Sequence, residues 1–221
     1  MPKSCLTNLR LRDSSVLTDL ISKNAGNFAT IIEALKTNYN PEIFNTLVRL
    51  FDDSIEKIDV AKKEDNNVSF KFKRVNQKEM NVEYHYIISR LSSGTFRGVI
   101  IFAASLIAFK YGGHILIDEI EKSFNKNLVQ NLLALFNDKD INKAGASLIY
   151  TTHYSELLDE SDRCDNINVL HRVEDVISIS NMCTKYEVRT DISKSNQFDQ
   201  NAFDNFLNYD QLMALRRLLY K

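Results

Sequence analysis

The chain has 221 residues, enough for one substantial core or two small domains. Its 44% hydrophobic and 26% charged content are those of an ordinary globular protein, and two prolines and six glycines are too few for loop-rich all-β or disordered designs. A net charge of −1 supplies no global basic field for nucleic acid and no acidic tail against it.

Cys5, Cys164 and Cys183 form an odd set without metal-ligand spacing, the usage of a reducing compartment. His153, Cys164, His171 and Cys183 are spaced like no common zinc site. Residues 1–8 are polar, and Arg10, Arg12 and Asp13 place charges directly after them, so no secretory leader is expected. The longest apolar run, residues 99–109, is too short for a bilayer and reads as a buried helix. A cytoplasmic protein without a membrane partner is the expectation.

Residues 1–60 read as helices. Val16, Leu17, Leu20 and Ile21 recur at helical spacing after a cap at Ser14 or Ser15, and Phe28, Ile31, Ile32 and Leu35 repeat the pattern. Asn40-Pro41-Glu42 combines a capping side chain, a proline at the first helical position and an acid in the first turn. The helix it opens carries Ile43, Leu47, Leu50, Phe51, Ile55 and Ile58 and is expected to end near Val60. A charged break over residues 62–67 comes next. Val68, Phe70 and Phe72, then Val82, Tyr84 and Tyr86, alternate with polar residues around a turn at 76–78, which predicts a hairpin. Interleaved lysines and aromatics could also stack on and neutralise nucleic acid, although one apolar hairpin face accounts for them.

Leu91-Ser92-Ser93-Gly94-Thr95 precedes an apolar helix ending near Tyr111. Small residues there leave backbone N–H groups free to face an anion, with the helix dipole in support. Taken alone, the segment is an N-cap beside a glycine. Next comes Gly112-Gly113-His114-Ile115-Leu116-Ile117-Asp118-Glu119, a short apolar strand that reads as buried on both faces and ends in two carboxylates. At the carboxyl end of such a strand one acid can hold magnesium and its neighbour can take a proton from water. A solvated acidic turn is the plainer alternative. A helical stripe of Leu128, Val129, Leu132, Leu133 and Phe136 leads to a second buried strand over residues 146–151, ending in Thr152-His153. Strand, helix and strand form a parallel βαβ unit, so His153 and both acids should share one sheet edge. Beyond them, a short helix over 155–160, strands over 167–170 and 176–179, and a closing helix through Phe203, Phe206, Leu207, Leu212, Leu215, Leu218 and Leu219 are expected.

In order, Leu91-Ser92-Ser93-Gly94-Thr95, Ile115-Leu116-Ile117-Asp118-Glu119 and Thr151-Thr152-His153 resemble the signature, Walker B strand and switch histidine of an ABC-type ATPase domain. The likeness is to AAA-type ATPases with ABC-like heads, among them overcoming-lysogenisation, chromosome-maintenance and phage-defence ATPases. Glu121-Lys122-Ser123-Phe124-Asn125 stands where that family has its D-loop. The resemblance implies an α/β fold, a partial P-loop NTPase core with a mostly parallel sheet preceded by helices. Residues 1–60 would be the remnant of a helical arm or lid, and 61–221 the C-terminal part of the ATPase domain. It implies that Asp118 orders magnesium through its water shell, that Glu119 polarises the attacking water and that His153 contacts the γ-phosphate of ATP. Ser92, Ser93 and Gly94 would cap the γ-phosphate of a nucleotide held by the opposite protomer of a head-to-head dimer, homo- or heteromeric.

One departure limits this. No G-x-x-x-x-G-K-[ST] occurs in the chain, and Gly26 in Asn24-Ala25-Gly26-Asn27 is no substitute. In the family the phosphate-cradling loop lies N-terminal to the motifs seen here, so the expectation is the C-terminal half of an ATPase whose P-loop half is supplied by a partner or a lost upstream segment. The alternatives are a non-catalytic interaction module docking on a complete ATPase, a truncated coding fragment, or a nucleic-acid binder or nuclease whose acids mimic Walker B. Apolar sheet edges left open by the missing strands would need a partner to cover them.

Overall fold

The computed structural model describes residues 25–64, 67–122, 124–173, 175–189, 191–200, 202–203 and 209–219. The expected helix over Val16, Leu17, Leu20 and Ile21 with its cap lies outside them, as do Phe206 and Leu207. The chain forms two compact units, Met1–His153 and Tyr154–Lys221.

In the first unit, helix α1 (Ala25–Asn38) buries the stripe Phe28, Ala29, Ile32 and Leu35. Asn40 Oδ1 accepts the Glu42 amide at 2.9 Å, forming an Asx turn that leads into helix α2 (Ile43–Phe51). That helix ends at Phe51, nine positions short of the expected end near Val60. Asp52 Oδ1 accepts the amide and hydroxyl of Ser54, at 3.1 and 2.6 Å, and turns the chain into strand β1 (Ile55–Glu64). A bulge between Ile55 and Lys57 puts Ile55 and Ile58 on one face of that strand. Their spacing of three therefore imitates helical periodicity.

Strand β2 (Asn67–Arg74) pairs antiparallel with β1 and with β3 (Met80–Glu83) in the order β1-β2-β3. Phe70 pairs with both Val60 and Val82. Tyr84 and Tyr86 do not continue β3 but lie on helix α3 (Tyr84–Arg90). Folding back lets Tyr84 reach Phe28 and Phe70, with ring centroids at 5.4 and 5.9 Å, and Tyr86 reach Phe72 at 5.7 Å. Aromatic packing onto the sheet wins over strand propensity.

Helix α4 (Ser93–Tyr111) runs through the core of this unit and buries residues on every side, from Phe96 to Phe109. It is long and apolar enough to cross a membrane, yet it packs against α1 and α2. Gly98 permits that packing: a Cβ there would lie 2.2 Å from the Phe51 ring. Gly112, at φ 78°, ends the helix in a positive-φ, extended conformation that favours glycine.

Strand β4 (His114–Ile117), helix α5 (Lys126–Asn137) and strand β5 (Ser147–Tyr150) make the expected parallel unit, in register from His114↔Ser147 to Ile117↔Tyr150. Among the described residues this is the one parallel pairing, so the mostly parallel sheet expected of the chain is replaced by a mixed α/β arrangement of small sheets. The strands paired in the other two sheets are separated by connections too short for a crossover, which permits only antiparallel neighbours. Strand β5 is not buried on both faces, for Ile149 is 57% exposed.

In the second unit the short helix expected over 155–160 is a 3₁₀ segment (Ser155–Glu160). Strands β6 (Asn168–Val173) and β7 (Val176–Asn181) form an antiparallel hairpin, followed by α6 (Met182–Lys185), α7 (Lys194–Asp199) and α8 (Tyr209–Leu219). Val169, Met182 and Phe203 form its core. Phe203 thus belongs to that core and not to the closing helix. Cys164 and Cys183 are disulfide-bonded, with Cα atoms 5.4 Å apart, so the odd cysteine count conceals a bridged pair.

Candidate active site

Because Ile117 pairs with Tyr150, the next residues of both strands leave the sheet side by side. The Thr151 amide donates to the Ile117 carbonyl at 3.0 Å, and the Ile120 amide donates to the Thr151 carbonyl at 3.1 Å. Between these ladder bonds the Thr151 hydroxyl works in two directions. It donates to Asp118 Oδ1 at 2.5 Å and accepts the Glu119 amide at 2.8 Å.

Glu119 itself has φ 49°, a left-handed conformation that costs a non-glycine residue energy and persists only where its surroundings impose it. The Thr151 tie on its amide is one such constraint. Another is its carbonyl, which accepts the Lys122 amide at 2.9 Å and closes a 3₁₀ turn over Ile120–Lys122. Ile120 is fully buried and pins that turn to the core. The acids on either side are thereby fanned apart: Asp118 is exposed, whereas Glu119 and Glu121 are half-buried.

His153 joins this edge from β5. Its amide donates to Glu121 Oε1 at 2.9 Å, and its ring Nε2 lies 3.6 Å from Glu119 Oε1. Lys122 pairs with the other Glu119 oxygen. Glu121 Oε2 is buried and, among the described residues, has no hydrogen-bond partner. Asp118, Glu119 and His153 are therefore brought together, as the βαβ reading requires. Among the described residues no three His, Cys, Asp or Glu side chains converge on a metal position. Asp118 offers one exposed, hard carboxylate, the donor set of a magnesium ion that keeps most of its waters and takes further ligands from a phosphate.

Ser92, Ser93 and Gly94 lie elsewhere in the unit. Ser92 caps α4, its Oγ accepting the Thr95 amide at 3.0 Å. A Cβ at Gly94 would meet only Ser92 Oγ, at 3.8 Å, so packing does not demand a glycine there. Phe124, just past the acidic turn, packs edge-to-face against Phe102 of α4 with centroids 5.7 Å apart. Ser93 begins the same helix, about 13 Å of helical rise away from Phe102. No hydrogen bond or ion pair among the described residues joins the Ser92–Gly94 start of α4 to the acids or to His153.

Sequence reasoning placed Thr151 in the switch segment and Glu121 and Lys122 in the D-loop segment, but gave none of the three side chains a task of its own. The signal for the first two was strand register: once β4 and β5 end together, residues 118–121 must face 151–153.

No protein-family model matches the sequence, and no curated protein matches it. Among solved structures, a crystal structure of the Smc head domain with an extended coiled coil, bound to the C-terminal domain of ScpA and derived from Pyrococcus furiosus, is similar over 80% of this chain, with 14% sequence identity and a TM-score of 0.39. The match spans 37% of that structure's chain. A likeness of this size does not define a fold.

Proposed function

We propose that the chain binds and hydrolyses ATP as the C-terminal portion of an ABC/AAA-type ATPase head, completed by a P-loop-bearing partner in a head-to-head dimer. The observation that carries this reading is the cross-linked edge of β4 and β5, where Thr151 holds the Asp118 carboxylate and the Glu119 backbone while His153 stands beside Glu119. Phosphoryl transfer needs positioned charge more than covalent chemistry, and these residue types supply it. Asp118 would hold magnesium through its water shell, and the ion would neutralise phosphate charge. Glu119 would accept the proton of the attacking water once Lys122 releases its carboxylate. His153, 81% exposed at its side chain, would reach the γ-phosphate. The unforced glycine at 94 and the exposed Ser92 and Ser93 suit the approach of a phosphate from a second protomer.

The phosphates also need the N–H cradle and lysine of a P-loop, which this chain lacks. The chain alone should therefore show no ATP turnover. Mixed with a P-loop-bearing head it should gain turnover and form a nucleotide-held complex, which Ser93→Arg should abolish by filling the cap. Turnover by the chain alone, or a complex indifferent to Ser93→Arg, contradicts the proposal.

A further inference from the structure

We infer that Glu121 is a positioning residue that sets His153 against Glu119, an inference that rests on the ATPase reading above. The His153 ring is almost fully exposed, and its described contact is the 3.6 Å approach to Glu119. Packing therefore does little to hold the ring, and its place must come from the backbone. Thr151 is fixed on both sides by the ladder bonds to Ile117 and Ile120. At His153, the final residue of the first unit, the tie is the amide bond to Glu121 Oε1.

The second oxygen of Glu121 strengthens the case. It is buried and, among the described residues, without a hydrogen-bond partner, so Glu121 accepts the His153 amide at the cost of leaving its other oxygen unsatisfied. Glu121 also shares the 3₁₀ turn with Lys122, whose ammonium holds Glu119. One short turn thus grips both members of the pair, Glu119 through Lys122 and His153 through Glu121. Moving the turn moves them together.

The test compares Glu121→Ala, which deletes the acceptor, with Glu121→Gln, which keeps it. In the full chain by itself, amide hydrogen exchange at His153 should speed up about tenfold in Glu121→Ala and stay near the wild-type rate in Glu121→Gln. In the complex with a P-loop-bearing head, Glu121→Ala should lower kcat by about tenfold or more with KM for ATP unchanged, and Glu121→Gln should restore it. An unchanged His153 exchange rate in Glu121→Ala overturns the inference. So does a loss of kcat that glutamine fails to rescue, or a loss that appears in KM instead. If the wild-type complex does not hydrolyse ATP, the ATPase reading fails with it, while the exchange measurement still decides whether Glu121 holds His153.

Discussion

Replacing Thr151 by valine keeps the shape of the side chain and removes its hydroxyl. Two bonds go: the donation to Asp118 Oδ1 and the acceptance of the Glu119 amide. A neutral hydrogen bond contributes about 1 kcal/mol net and one to a charged group about 1.5–3 kcal/mol, with exposed Asp118 at the low end. Release of the left-handed Glu119 backbone returns about 1 kcal/mol of that loss. The net cost should be about 1–2 kcal/mol, visible as a lower urea midpoint for the amide signals of the first unit, with Thr151→Ser close to wild type. The Glu119 and Ile120 amides should exchange faster in the valine variant before global unfolding. A valine variant within about 0.5 kcal/mol of wild type, with unchanged exchange at Glu119, refutes the claim that this hydroxyl organises the edge.

Gly98→Ala should cost about 1–3 kcal/mol, because the new methyl must displace the Phe51 ring from Phe102 and α4; a thermal or urea melt measures it. Reduction of the Cys164–Cys183 bridge, which spans 19 positions, should destabilise the second unit by about 3 kcal/mol in urea, and Cys183→Ser should abolish the sensitivity to reductant. Asp159 is subject to desolvation, which raises its pKa, but hydrogen bonds from the Ser195 hydroxyl and the Ser195 and Lys194 amides outweigh it and hold the carboxyl below its ordinary range. A depressed folded value means stabilisation that is present above the unfolded pKa and lost as pH falls through the folded one. The second unit should thus weaken below about pH 4, and Asp159→Asn should flatten that dependence in acid titrations followed by circular dichroism.

The βαβ unit was legible because a four-residue apolar strand, an amphipathic helix and a second strand leave little choice of connection. Its register then brought Asp118, Glu119 and His153 together. The features that escaped sequence reasoning depended on geometry that periodicity does not encode. The bulge in β1 made Ile55 and Ile58 look helical, and the fold-back of α3 turned an alternating aromatic run into a helix. The left-handed Glu119 leaves no mark in composition, since any residue type can be forced there by neighbours distant in sequence. Thr151 and Glu121 escaped for the same reason: their roles are defined by partners 30 or more positions away.

The most direct measurement is ATP turnover by this chain joined to a P-loop-bearing head, with Glu119→Gln as the variant. Glutamine keeps the size of the side chain but cannot take the proton of the attacking water. Turnover should fall by at least about 100-fold, while nucleotide still holds the two heads together. Turnover at the wild-type rate in Glu119→Gln would contradict the central claim that this carboxylate activates the water.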